Sequence, residues 1–187
     1  MDTTRRSRKR ESTHTSLKHS AKMQFEKYGI ENVTIEEISE GADVSRSTFF
    51  THFDSLDDLL SQIANEEIDD IIGAAYSNGK TDLEALFTQL TEDTYKYPYL
   101  MCQLFMKSIT SESNSSVAKV ISLMSSEFES EGISDYFGGF NSKDLSSIVM
   151  GAFFGFIYQK FADKEEFTDP DETVKKILKL ISMIKNN

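Results

Sequence analysis

The sequence predicts an all-α protein. Apolar residues recur at helical spacing along most of the 187 residues, and Ser, Thr and Asp capping signals stand where several of these stretches begin. Only two prolines and nine glycines interrupt them. No segment shows the sustained alternation expected of a strand, and no internal repeat is visible. A chain of this length holds one ordinary domain, or a small domain fused to a medium one.

Nine helices are expected, separated by breaks rich in Ser, Asn and Gly. They cover about residues 14–28, 34–41, 45–51, 55–77, 81–96, 98–110, 114–131, 141–162 and 169–185. Gly29 is placed as the C-terminal stop of the first helix. Capping boxes are predicted at 34–37, 55–58 and 81–84, where the cap side chain and the third helical residue exchange hydrogen bonds. Asp169 followed by Pro170 is the clearest start, because proline fits the first helical position.

Composition argues against several classes of protein. Cys102 is the single cysteine, so no internal disulfide can form, which fits a reducing cytoplasm. Three scattered histidines offer no metal site, and we expect no cofactor. The longest apolar stretch, near Ile148–Ile157, is too short to span a bilayer, and no secretory signal opens the chain. We therefore expect a cytoplasmic protein without a membrane partner. Because no nucleophile–base pair or phosphate loop is found, we do not expect an enzyme.

Charge is unevenly distributed along the chain. The net charge is −11, which alone argues against a nucleic-acid partner. Residues 1–30, however, hold eight Lys/Arg against three Asp/Glu, whereas residues 61–187 hold eleven against twenty. The basic cluster at the start consists of Arg5, Arg6, Arg8, Lys9 and Arg10. Such asymmetry indicates either a phosphate-facing end on an acidic protein or a solvated basic tail.

The stretch from Thr34 to Phe53 is the most informative. A capped helix ends near Gly41, a three-residue connection follows, and Ser45 can cap a second short helix, which is the helix-turn-helix pattern. Its small core would be packed by Ile35, Ile38, Val44 and Phe49. The outward face of the second helix would present small or cationic hydrogen-bonding groups: Ser45, Arg46, Ser47, Thr48 and Thr51. These can reach base edges or phosphates in a major groove. Similar connections occur in enzymes, so the pattern does not fix the function.

These residues also resemble a known family. The runs 34–39, 42–45 and 48–53, preceded by Ala21, Phe25 and Gly29, are similar to the DNA-binding signature of the TetR family of transcriptional regulators. The resemblance covers about residues 14–60. It implies a homodimer of nine or so helices that binds a palindromic operator in double-stranded DNA. Such proteins are usually repressors that a small-molecule effector releases.

The resemblance implies roles for individual positions. Thr34 is similar to a phosphate-contacting threonine, and His52 to a histidine that can donate to the DNA backbone. Ser45 and Arg46 begin the recognition helix, and Thr48 lies one turn further along the same side. Phe53 resembles a buried aromatic of the core.

Four positions depart from the family pattern. Phe50 replaces a tyrosine whose hydroxyl binds phosphate, and Ser47 replaces a glycine that lets the DNA backbone approach. Leu56 replaces a common lysine and so removes a phosphate contact. Asp43 replaces the glycine of the turn, which is tolerable because Asp adopts left-handed geometry more readily than most residues. The N-terminal Arg5 and Arg6 could compensate by binding phosphates themselves.

The middle of the chain contains candidate effector-binding residues. They are the aromatic, methionine and acidic side chains Phe87, Asp93, Met101, Phe105, Met124 and Phe128. Such side chains form adaptable apolar pockets, but they are equally ordinary core residues. Asp93 lies three residues after Leu90, so it could face inward and meet a cationic ligand, or it could be a solvated carboxylate at the helix edge.

The last two helices are the candidate dimer interface. Ser147, Gly151 and Gly155 form a line of small residues four apart, and two glycines inside a helix cost about 1 kcal/mol each relative to alanine. A close helix crossing in a dimer would offset that cost. Ile177 and Ile181 of the final helix could complete a four-helix interface. The alternative is packing within one subunit.

We therefore expect a DNA-binding domain at residues 1–54, with a basic arm at 1–12 and the helix-turn-helix at about 34–51. A ligand-binding and dimerisation domain would follow at 55–187. The favoured function is a ligand-responsive DNA-binding regulator. The alternatives are a TetR-like dimer that has lost operator binding and binds a small molecule or a protein, and a helical enzyme.

Overall fold

The structure is a computed structural model that describes residues 5–77, 80–110, 116–132 and 139–185. These residues form nine α-helices, which confirms the all-α prediction apart from one short strand pair. The helices are α1 (Arg5–Tyr28), α2 (Ile35–Gly41), α3 (Arg46–Phe49), α4 (Leu56–Ala75), α5 (Leu83–Lys96), α6 (Pro98–Thr110), α7 (Ser116–Ser130), α8 (Ser142–Asp163) and α9 (Pro170–Lys185). A single 3-10 turn, Ile30–Asn32, follows α1.

The first helix begins earlier than predicted. Residues 5–12 were expected to be an arm before a helix starting near residue 14, but α1 is continuous from Arg5. Arginine and lysine are good helix formers, and no glycine or proline interrupts the segment, so the helix can extend although all of its first eight side chains are exposed. The basic cluster is therefore carried on a helix.

A two-stranded antiparallel pair follows α4 and was not predicted. Strand β1 (Tyr76–Ser77) pairs with β2 (Lys80–Thr81), with Tyr76 opposite Thr81. The predicted capping box at 81–84 is wrong by one residue, because Thr81 is in the strand and Asp82 is the cap. The amide of Ala85 donates to the Asp82 carboxylate at 3.0 Å.

The N-terminal helices share one apolar core. Its largest fully buried side chains include Phe25, Phe49 and Phe53. The core also takes in Leu59 and Ile63 from the first half of α4, and Tyr97, Leu100 and Met101 around the start of α6. The packing therefore continues across the boundary predicted near residue 54.

A second core joins the rest of the chain. It is formed by the second half of α4 with α5, α7, α8 and α9, and its fully buried members include Phe87, Met124, Phe128 and Phe153. The chain thus folds around two adjacent apolar clusters, with α4 and α6 contributing to the region where they meet.

Helix α8 is a core helix of the second cluster. By length and hydropathy alone, its 22 residues could cross a membrane. The shorter apolar stretch Ile148–Ile157, on which the sequence-based expectation rested, is too short to do so. Leu145, Val149 and Phe153 on one face are nevertheless fully buried against the neighbouring helices. We read α8 as the core helix of a helical domain, since such helices meet the same criterion.

Candidate nucleic-acid interface

The first helix of the motif is capped as predicted. The amide of Glu37 donates to the Thr34 hydroxyl at 3.3 Å, and the amide of Thr34 donates to the Glu37 carboxylate at 2.8 Å. The Thr34 hydroxyl also donates to that carboxylate at 2.7 Å, and these bonds lower the pKa of Glu37. Thr34 is exposed, so its hydroxyl is accessible beside the N-terminus of α2.

The turn between α2 and α3 is tight and contains one left-handed residue. Asp43 has φ +54°, so an aspartate adopts the left-handed geometry at the position where the family usually has glycine. The amide of Val44 donates to the carbonyl of Ser39 at 3.0 Å and closes the turn. Gly41 packs against α1, because a Cβ there would lie 2.3 Å from the Ser20 hydroxyl. That hydroxyl already donates to the Ile38 carbonyl at 2.8 Å and links α1 to α2.

The short helix α3 turns its polar side chains outward. Ser45 caps it, accepting from the amide of Thr48 at 3.1 Å. Ser45, Arg46 and Ser47 are exposed and Thr48 is half-buried, whereas Phe49 is fully buried in the first core. The geometry therefore presents the predicted contact residues on one accessible surface.

Arg46 contacts two neighbouring side chains. Its Nε lies 3.0 Å from Glu36 Oε1, and its guanidinium lies 5.5 Å from the centre of the Phe50 ring. Both partners of this ion pair are about 60% exposed, so water screens the attraction and the pair can exchange for a phosphate or a base. Phe50 is also exposed and has no hydroxyl to offer.

The start of α1 lies beside the end of the motif. An open depression of about 680 Å³ lies here. It is lined by Arg6, Arg10 and Thr13 of α1 and by Thr51 and His52 after α3. The basic cluster thus adjoins the helix-turn-helix. Arg5, also predicted to contact DNA, lies exposed at the first position of α1.

Two histidines lie at this junction. The His14 and His52 rings are 5.6 Å apart, and His14 stacks on the buried Phe53 at 4.5 Å. Burial lowers the pKa of both, with Lys18 adding to the shift of His14 and Arg10 to that of His52. Both rings are therefore predominantly neutral at pH 7, and His52 can act there as a neutral donor.

Acidic side chains border the same surface. Glu36, Glu40 and Asp43 line a shallow depression together with Ser45 and Arg46. These carboxylates would repel phosphates that approach from the α2 side. Leu56, where a lysine is common, is half-buried against the first core.

Comparison with known proteins identifies this segment. Residues 18–63 match the family model for bacterial regulatory proteins, tetR family. This segment therefore resembles members of the TetR family. A curated relative, the transposon Tn10 TetC protein of Escherichia coli, is 39% identical over 72 residues, which are 38% of this chain and 36% of that protein. The chain therefore matches about a third of the length of that relative.

Solved structures extend the likeness to the whole TetR fold. A transcriptional regulator of Aquifex aeolicus is 20% identical, with a TM-score of 0.64 over 92% of this chain and 99% of that one. NalD, the secondary repressor of a multidrug efflux pump in Pseudomonas aeruginosa, is 19% identical, with a TM-score of 0.62 over 90% and 93%. At these identities the comparison shows that the chain has the fold of TetR-family transcriptional regulators.

A small apolar cavity lies where the two cores of this TetR fold meet. It measures about 50 Å³, and Met101 and Phe105 line it, as do Leu104, Met150 and Phe154. The other effector-binding candidates do not line it. Phe87, Met124 and Phe128 are fully buried members of the second core, which is the alternative role considered for them.

Asp93 also lies outside this cavity. It is half-buried, and burial raises its pKa, while Gln89 donates to both of its carboxylate oxygens at 3.0 Å. The acid in the cavity wall is instead Glu67, which sequence reasoning missed. The sequence spacing could have identified it, because Glu67 lies four residues from both Ile63 and Ile71 and therefore on the buried face of α4.

The predicted dimer residues fall into two groups. Ser147, Gly151 and Gly155 are exposed on α8, and a Cβ added at either glycine would meet nothing within 4 Å. Ile177 and Ile181 are 0% and 4% exposed within the chain, so their assignment to a subunit interface has to be corrected. They face the second core because they lie on the apolar stripe that α9 packs against α5 and α8.

The single cysteine is not activated. Burial raises the pKa of the Cys102 thiol to about 11, with Glu26 adding to the effect, so the thiol is protonated at neutral pH. Among the described residues, no group of His, Cys, Asp and Glu is arranged to hold a metal ion.

Proposed function

We propose that this chain is a sequence-specific, DNA-binding transcriptional regulator. The observation that supports it most is the outward face of α3, where Ser45, Arg46 and Ser47 adjoin the basic start of α1 at Arg6 and Arg10. The side chains of α3 would read base edges, and those of α1 and Thr34 would contact phosphates. A protein that acts on bacterial DNA would work in the cytoplasm.

The active form in this proposal is a homodimer. Gly151 and Gly155 leave open space along α8, and exposed Ile148 and Tyr158 flank them at helical spacing. An apolar, sterically open face of this kind fits a helix from a second copy. Two subunits would then place two α3 helices on a palindromic operator.

We further propose that the regulator represses, and that a small molecule releases it. NalD, which shares the fold, is a repressor, and the cavity between the two cores gives a ligand access to both. Residues 1–54 would form the DNA-binding domain and 55–187 the ligand-binding and dimerisation domain. The first core links the two, because Leu59 and Ile63 pack with α1–α3.

One observation favours a second candidate, a dimer without operator binding. The carboxylates of Glu36, Glu40 and Asp43 border the contact surface, and Phe50 lacks a phosphate-binding hydroxyl. In that case the chain would act by binding a small molecule or another protein.

Selection from a random duplex library distinguishes the two candidates. The full chain should enrich a palindromic or near-palindromic motif with half-site centres about 34–36 Å apart, or a multiple of that spacing. Binding that stays equal across sequences, or that is absent at low salt, would support the dimer without operator binding.

The basic start of α1 should contribute through phosphates. Replacing Arg6 and Arg10 with glutamine should weaken binding to specific and random duplex alike. It should also make the plot of log affinity against log salt shallower by about 0.9 for each phosphate that the variant no longer neutralises. Fluorescence anisotropy across a salt series measures the slope. An unchanged slope would place α1 away from DNA. Lys119→Gln on α7 is the control, because it removes an exposed charge from a helix of the second core.

A further inference from the structure

The cavity wall contains one ionisable group in a largely apolar lining. Within the described part of the chain, Glu67 is the only charged residue among those that line the cavity, and Ser108 is the only other polar one. Glu67 is 8% exposed, so its carboxylate is largely withdrawn from water. A carboxylate in such surroundings is stable as an anion when it is paired and hydrogen-bonded.

That partner comes from the DNA-binding segment. The Lys22 ammonium of α1 pairs with Glu67 of α4, and it also lies 6.0 Å from the centre of the Tyr97 ring. A second pair, Lys18 with Glu66, runs beside it, but Glu66 is half exposed and does not line the cavity. The two helices are therefore joined by two ion pairs, of which only one reaches the cavity.

Aromatic rings line the same cavity. Phe105 and Phe154 are stacked with their centroids 3.5 Å apart, and both are half-buried, as is Leu104 beside them. Aromatic faces attract cations as well as apolar groups. Met101 and Met150 complete the wall, and methionine adapts its shape readily, so a cavity of about 50 Å³ can enlarge around a ligand.

We infer that the effector is a small organic cation, an ammonium group carrying an apolar or aromatic substituent, which binds Glu67 in place of Lys22. The inference rests on the proposed function and names its ligand class. When the ligand's ammonium pairs with this carboxylate, α1 loses its part-buried ion pair with α4. Because α1 carries Arg6 and Arg10, ligand binding and DNA binding are then negatively coupled, and by linkage each weakens the other by the same factor.

Calorimetry on the full chain tests the ligand class without DNA. The probes are benzylammonium, benzyl alcohol and benzoate, which share a ring and differ in charge. Benzylammonium should bind at least tenfold more tightly than benzyl alcohol, and benzoate most weakly. Equal binding of the cation and the alcohol, preference for the anion, or binding of none of the three would overturn the inference.

Two matched variants locate the effect. Glu67→Gln should abolish the preference for benzylammonium and leave benzyl alcohol binding unchanged. Glu66→Gln breaks the neighbouring ion pair with the same chemical change, and it should retain the preference. Circular dichroism melting establishes that both variants are folded. A Glu67→Gln protein that still prefers the cation, or a Glu66→Gln protein that loses the preference, would contradict the assignment.

Lys22→Met tests the coupling to DNA. Without its competitor, benzylammonium should bind this variant more tightly than it binds the original chain, and it should no longer release DNA in an anisotropy assay. Weaker cation binding to this variant would refute the exchange. A cation preference in a chain that binds no DNA supports the ligand class and overturns the proposed function. DNA binding without a cation preference supports the proposed function and overturns the ligand class.

Discussion

A double substitution of Gly151 and Gly155 with glutamine should convert the proposed dimer into a folded monomer. In the single chain both positions face open space, so the new side chains meet nothing in their own subunit. Each replacement also removes a helix-interior glycine, which should favour α8 by about 0.5–1 kcal/mol. In a dimer packed on this face, four long polar side chains would instead separate the two backbones. The loss of association should therefore be accompanied by unchanged or slightly higher thermal stability.

Sedimentation and circular dichroism together measure these two effects. Gly73→Gln is the matched control, because Gly73 is likewise exposed inside a helix with nothing near its Cβ position, but lies on α4. The control should remain a dimer. The double variant should bind a full palindrome little better than a single half-site, since each subunit would then bind alone. A stable dimer that binds the palindrome normally would move the interface away from this face of α8.

Local signals in the sequence predicted the helix boundaries well where a cap is involved. Ser55 caps α4 through the amide of Asp58 at 3.1 Å, and Pro170 is the first residue of α9. The capping box predicted at 55–58 is only half formed, because the Asp58 carboxylate accepts from the amide of Asp54 rather than of Ser55. Gly29 ends α1 with φ +83°. Each of these depends on neighbouring residues along the chain, so the sequence alone contains the required information.

Two local signals were missed. Ser77-Asn78-Gly79 was treated only as a break between helices, although an Asn-Gly dipeptide in a sequence favours a β-hairpin; β1 and β2 pair here, and residues 78–79 themselves lie outside the described residues. The run Arg5–Arg10 was considered only for its charge, although its residues have high helix propensity. Both were available in the sequence and were outweighed by a composition argument.

Positions whose role depends on packing were harder to predict. Ile177 and Ile181 lie on a well-defined stripe, but the sequence does not say whether a stripe packs inside the subunit or against a second one. Asp93 and Glu67 both lie on partly apolar helix faces, and only the arrangement of α4, α6 and α8 decides which acid borders the cavity. Such choices depend on tertiary contacts rather than on periodicity.

Arg46→Ala should reduce the affinity for the specific operator more than any other single substitution in α3. Its guanidinium is the only cationic group on this helix, and a bidentate contact from arginine to a base is worth about 1–3 kcal/mol of discrimination in each subunit. Binding to the selected palindrome should fall by roughly tenfold to a hundredfold per subunit, whereas binding to random duplex should fall much less. Competition anisotropy with both duplexes measures the ratio.

Glu36→Gln is the informative companion to this variant. Glu36 pairs with Arg46 at 3.0 Å, and its charge borders the same surface. Removing that charge should strengthen binding to both duplexes by a few-fold, because an exposed ion pair is worth about 0.2–1 kcal/mol. In the Arg46→Ala background, the increase in affinity caused by Glu36→Gln should shrink to what the loss of charge repulsion alone provides.

Equal losses on both duplexes for Arg46→Ala would show that Arg46 contacts only phosphate. A loss of specific binding in Glu36→Gln would instead show that Glu36 orients Arg46 toward its base, so that the ion pair supports recognition rather than competing with it.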